Sequence, residues 1–141
     1  HESSVRATSG ALAAGVALVK AQWVTNGFTG PTTNLEGFGD DTVDVSGRGW
    51  PVATGGYDGE ADGSAIMNDD RCGQLWGAVL QSNAPPIAGA DPDYEVSTAA
   101  ARGAVAADTQ ANCLFTYQLD GTGNKTITYD ADTGSVITDL D

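Results

Sequence analysis

Residues 113–139 read CLFTYQLDGTGNKTITYDADTGSVITD, and their periodicity decides the fold. Cys113, Phe115 and Tyr117 fall on one face of an extended segment, Thr126 and Thr128 alternate with Ile127 and Tyr129 in the next, and Val136 with Ile137 opens a third. Asp/Gly turns separate the three segments, the second running from Asp130 to Gly134. A period of two interrupted by turn residues predicts an antiparallel meander over 113–138. The Asp130/Asp132 pair is read as hairpin geometry rather than as a metal site. Three adjacent strands need a surface to pack on.

The other end of the chain supplies one. Val5, Leu12, Val16, Val19 and Trp23 recur at helical spacing, and Ala11, Ala13, Ala14, Ala17 and Ala21 add helix propensity, which predicts an amphipathic helix over 5–25 stopped by Asn26-Gly27. Residues 28–68 are rich in Gly, Asp and Thr and read as a long irregular connection, with short extended pieces at 42–45 and 50–53. Connections of that length tend to be functional surfaces. Asp69 or Asp70 is the expected N-cap of a short helix over 69–81, because Cys72, Leu75, Trp76, Val79 and Leu80 follow at i, i+3, i+4, i+7 and i+8. A strand is expected at 94–97, whereas the Ala-rich segment 98–107, interrupted by Gly103, fits no element clearly. The fold class is α+β in a single domain, 1–141, with the first helix on an antiparallel sheet of about four strands.

Nineteen acidic residues against six basic ones leave a formal charge of −13, a field that repels nucleic acid and anionic lipid. In a small, glycine-rich, acidic domain the only two cysteines, Cys72 and Cys113, are expected to form a disulfide, which implies an oxidising compartment. His1 is the sole histidine, so Ser-His, Cys-His and His-ligand metal arrangements drop out and carboxylate pairs alone remain for catalysis. Thr54-Gly55-Gly56 is not followed by the Gly-Lys-Ser/Thr of a phosphate loop. The chain reads as a non-enzyme without a cofactor.

Calcium is the alternative to be weighed. Asp58, Glu60 and Asp62 stand at i, i+2 and i+4, followed by Gly63, Ser64 and then Asp69, eleven residues after the first. This is the spacing of a calcium loop, in which alternate oxygens turn inward around a hard cation; a solvated acidic loop is the other reading. Phe28, Phe38, Trp50 and Tyr57 lie in the irregular region, where they could form a sugar- or protein-binding surface, though Trp50 beside Pro51 also suits a core. The cations Arg6, Lys20, Arg48, Arg71, Arg102 and Lys125 are scattered and read as solvated.

The order of these parts resembles that of type IV pilins and type II secretion pseudopilins. The likeness is greatest to the mannose-sensitive haemagglutinin (MSHA) type of pilin, in ALVKAQWVTNG (17–27), Gly49-Trp50-Pro51-Val52, DDRCGQLWGAVLQSNAP (69–85), CLFTYQ (113–118) and KTITYDADTGSV (125–136). The resemblance implies a pilin-like fold in which Leu12, Val16, Val19 and Trp23 hold the meander, while Ala13, Ala14, Gly15 and Ala17 let helices pack closely along a filament axis. It implies a hydrophobic segment upstream of His1, with a prepilin peptidase site, as the only part that meets a membrane. The partners implied are other pilin subunits in a helical filament and the pilus or secretion assembly machinery. The location implied is a cell-surface pilus or the periplasm, reached from an inner-membrane precursor. The expected function is a structural pilus subunit for attachment or surface motility. The alternatives are a pseudopilin of type II secretion and a free extracellular calcium-dependent binding module.

Overall fold

The structure is a computed structural model that describes residues 1–99 and 111–141. Arg102, and the Ala-rich segment from position 100 onward, lie outside the described residues.

Helix α1 spans Glu2–Thr25, three residues earlier than the apolar period suggests, because Val5 N–H already donates to the His1 carbonyl at 3.0 Å. At its far end Gly27 takes φ +86°, a left-handed conformation that glycine adopts without a Cβ penalty. Gly27 N–H then reaches the Val24 carbonyl and Phe28 N–H the Trp23 carbonyl, at 3.0 and 3.1 Å, the paired bonds of a Schellman cap. Val5, Ser9, Leu12, Gly15, Val16, Val19 and Trp23 form its buried stripe.

The 28–68 connection is more ordered and more buried than its composition suggests. It contains a two-stranded antiparallel sheet, β1 (Asp44–Val45) and β2 (Pro51–Ala53), and it contributes Leu35, Phe38, Val43, Ala65 and Met67 to the core. The reading of this region as mainly surface is corrected for these positions: sparse apolar residues were enough, because these five are buried.

Helix α2 spans Asp69–Leu80, and its N-cap is Asn68 rather than Asp69 or Asp70. Asn68 sits in extended backbone, and its side-chain oxygen accepts from Arg71 N–H at 2.8 Å, which leaves both aspartates in the first turn, where the helix dipole favours them. The α-helix stops one residue before the expected Gln81, which opens a 3-10 turn over Gln81–Asn83 at φ 58° and ψ −135°. That backbone region strongly favours glycine. Gln81→Gly should therefore raise stability by about 1 kcal/mol, read as a melting temperature a few degrees higher.

Strands β3 (Tyr94–Ala99), β4 (Asn112–Tyr117), β5 (Thr126–Asp130) and β6 (Val136–Asp139) form one antiparallel sheet in that order. β3 runs two residues beyond the expected 94–97. Tyr94 pairs with Tyr117, Phe115 with Ile127, and Tyr129 with Val136, which puts the aromatic and aliphatic side chains on one face, under the helices. Trp76 of α2 closes over this face, its ring 4.2 Å from Phe115 and 5.1 Å from Tyr94 by centroid. The fold is thus α+β, with an N-terminal helix, a four-stranded antiparallel sheet and one disulfide.

Candidate functional site

Among the described residues, those singled out in the sequence have the following places. Cys72 and Cys113 are bonded, with their Cα atoms 5.5 Å apart and both side chains fully buried between α2 and β4. Leu12, Val16 and Val19 are buried, and α1 lies against α2, β2, β5 and β6. Ser9 of α1 is hydrogen-bonded to Thr138 of β6. Trp23 is tied to the connection, since its indole N–H donates to the Gly30 carbonyl at 3.1 Å. The Lys20 ammonium stands 4.9 Å from the Trp23 ring and 4.8 Å from the Trp50 ring, and donates to the Arg48 carbonyl at 2.6 Å. A lysine between two indoles is held by their π faces. The reading of Lys20 as one of the solvated cations is corrected accordingly.

Gly15 also departs from expectation. A Cβ at this position would stand 2.5 Å from Val79 Cγ1, so the glycine is the close contact between α1 and α2 of the same chain. It does not belong to an outward small-residue face, whereas Ala13, Ala14 and Ala17 do face solvent. Nor do the four aromatics of the connection form one exposed surface. Phe38 is buried, Trp50 lies flat on Gly134, Tyr57 is covered by Arg71 with the guanidinium carbon 3.6 Å from its ring centroid, and Phe28 alone is exposed, at 41%.

The five residues of the calcium spacing do not converge on a common point. Glu60 accepts from the Tyr57 hydroxyl at 2.6 Å, and burial, together with this carboxylate, pushes the phenol up to about 12. Asp62 accepts from both the hydroxyl and the N–H of Ser64, which holds its carboxyl below the usual range, and Glu60 N–H donates to the Ser64 carbonyl. The segment is a turn closed on itself, followed by Asp69 in the first turn of α2. Among the described residues no three His, Cys, Asp or Glu side chains are grouped to hold a metal ion.

Two further places were not foreseen. Asp44 is a fully buried carboxylate: one oxygen accepts from Asn34 N–H at 3.2 Å and the other from Gly56 N–H at 2.6 Å. A cleft of about 470 Å³ opens at the end of α2, lined by Asp40, Thr42, Gly77, Ala78, Gln81 and Ser82. Its lining has hydroxyls, an amide and one carboxylate.

The remaining candidate is the outward face of α1. Ala7, Ala11, Ala14, Leu18 and Ala21 follow one another along it, with Leu18 61% exposed. No charged side chain lies between Arg6 and Lys20. Eighteen of the nineteen acidic residues come after Leu35, so α1 with its following turn has a formal charge of +1 in a chain of −13. The chain matches no family model, no curated protein and no solved structure. Among the described residues no helix is long and apolar enough to cross a membrane.

Proposed function

We propose that this chain is a structural, non-enzymatic subunit of a type IV pilus of MSHA type, used in surface attachment or motility. The observation that carries the reading is the outward face of α1: a long apolar strip, uncharged, on a domain whose acidity lies elsewhere. Such a strip suits repeated helix-to-helix contact with other subunits in a helical filament, a heterologous assembly that need not close. The buried stripe on the opposite side of the helix holds the subunit's own core, so α1 can serve both roles at once. A hydrophobic segment upstream would anchor the precursor in the inner membrane before assembly. The disulfide suits the periplasm and cell surface where such a subunit would be handled.

Gold-labelled antibodies against this domain, applied to native cells and to filaments sheared from them, test the proposal. Label spaced along surface filaments is the expected result. Label confined to the periplasm would favour the pseudopilin reading, and protein found only as a free species in the medium would overturn both.

A further inference from the structure

The connection between β4 and β5 contains Asn124-Lys125-Thr126, an Asn-X-Thr triplet without proline at its middle position, which is the acceptor sequence for N-linked glycosylation. Of the six asparagines in the chain, Asn124 alone has Ser or Thr two residues on. We infer that Asn124 is the attachment point of an N-linked saccharide, transferred from a lipid-linked donor outside the reducing cytosol. The inference goes beyond the filament reading and needs only the oxidising compartment that the Cys72–Cys113 disulfide suits. In the transfer Asn124 Nδ2 forms a bond to C1 of the first sugar, the bond from C1 to the donor's phosphate oxygen breaks, and the lipid phosphate leaves with that electron pair. The amide releases one proton to solvent, and nothing is oxidised.

Such a triplet carries weight only in a surface turn of an exported chain, and its place in the fold meets that condition. The tip of the turn stands clear of the domain. Gly121 and Gly123 take φ +71° and +68°, and a Cβ on either would meet no atom within 4 Å. Asp120 gathers the base of the turn: its carboxylate accepts from Thr122 N–H at 3.2 Å and pairs with the Lys125 ammonium at 2.6 Å. Asn124 N–H donates to the Thr122 hydroxyl oxygen at 3.2 Å, while its side chain is exposed and, among the described residues, its amide has no hydrogen-bond partner. The acceptor's backbone is therefore held and its amide nitrogen is presented to solvent. Thr126 is placed differently. It is the half-buried first residue of β5, paired with Thr116 of β4 and Asp139 of β6, and the Lys125 carbonyl before it accepts from Tyr117 N–H at 2.9 Å. A transferase reads the hydroxyl of the third residue together with the amide of the first, so the triplet serves as acceptor before β5 joins the sheet. Once the sheet has closed, a saccharide on Asn124 projects from the tip and displaces no packed side chain.

Mass spectrometry of the protein isolated from its native cells, intact and as proteolytic peptides, tests the inference. The expected result is a peptide containing Asn124 whose mass exceeds its sequence mass by a whole number of sugar residues, with fragment ions that place the increment on Asn124. Variants expressed in the same cells locate the signal that is read. Asn124→Gln should lose the increment and keep the parent's circular dichroism spectrum, because the side chain is exposed and unpartnered. Thr126→Val keeps the side-chain shape and the strand preference of β5 but removes the hydroxyl, and should lose the increment although Asn124 is intact. Thr126→Ser retains the hydroxyl and should keep it, as should Thr122→Val. An unmodified Asn124 in the native protein, an increment carried by Thr122 instead, or one that survives Thr126→Val would overturn the inference. None of these outcomes bears on where the antibodies label the cell, so the filament reading is decided on its own.

Discussion

Removing the disulfide, as Cys72→Ala with Cys113→Ala, should lower the stability of the domain by about 4 kcal/mol, read as a melting temperature lower by on the order of 15 °C. The two cysteines are 41 residues apart, and cross-linking a loop of that length restricts the unfolded chain by about that amount in the chain-entropy model. Typical domains have about 5–15 kcal/mol in total, so the loss is large. The bond joins α2 to the central region of the sheet at β4, and nearby residues of the same two elements, Trp76 and Phe115, stack on one another. Both sulfurs are fully buried, so the bond should resist reductant in the native state and yield once denaturant exposes it. Melting curves of the parent and doubly substituted chains, with and without reductant, check this. A shift below about 1 kcal/mol would mean that the helix-to-sheet contact is held by packing alone.

The parts of this fold that were legible in the sequence are those whose pattern is local. The meander announces itself because Cys113, Phe115, Tyr117, Ile127 and Tyr129 alternate with polar residues and every turn carries Gly or Asp. The stripe of α1 is legible for the same reason, and the disulfide follows from there being only two cysteines. What was not legible depends on direction in three dimensions. Spacing in the Asp58–Asp69 segment allows a ligand loop, yet spacing cannot say that Tyr57 captures Glu60 and Ser64 captures Asp62. Gly15 looks like its alanine neighbours until α2 is placed, and only then does Val79 fill the space above it. Asn68 precedes two aspartates of similar capping rank, so the sequence could not choose among the three. Asp44 misleads most, since Val43-Asp44-Val45-Ser46 has the alternation of a half-exposed strand while all four residues are buried.

That buried aspartate supports the second large effect. Asp44→Ala should destabilise the domain by about 2–4 kcal/mol at neutral pH, because a carboxylate acceptor worth about 1.5–3 kcal/mol per hydrogen bond is lost and two backbone donors are left without it. Those donors, Asn34 N–H and Gly56 N–H, stand on either side of the β1–β2 pair, so the carboxylate clips the two ends of the connection together. Burial raises the pKa of Asp44 above 3.8, the two N–H bonds oppose that shift, and Asp58 nearby adds to it. With the folded value above the unfolded one, this group's contribution is fully present below the unfolded pKa and is lost as pH rises through the folded value. Asp62 and Asp120, held low by hydrogen bonds to Ser64 and Lys125, act in the opposite sense and weaken the fold as pH falls through their folded values. Asp44→Asn separates the two effects, since it keeps the shape, removes the titration and leaves Asp62 and Asp120 unchanged. The stability of the parent chain relative to Asp44→Asn should therefore widen as pH is lowered from 7 toward the unfolded value and then level off. Urea unfolding of both chains across that range measures it. A difference that narrows on acidification would show that the carboxylate is better stabilised in the fold than in water, so that the clip and not burial sets its charge, and one that stays flat would show that the two offset each other.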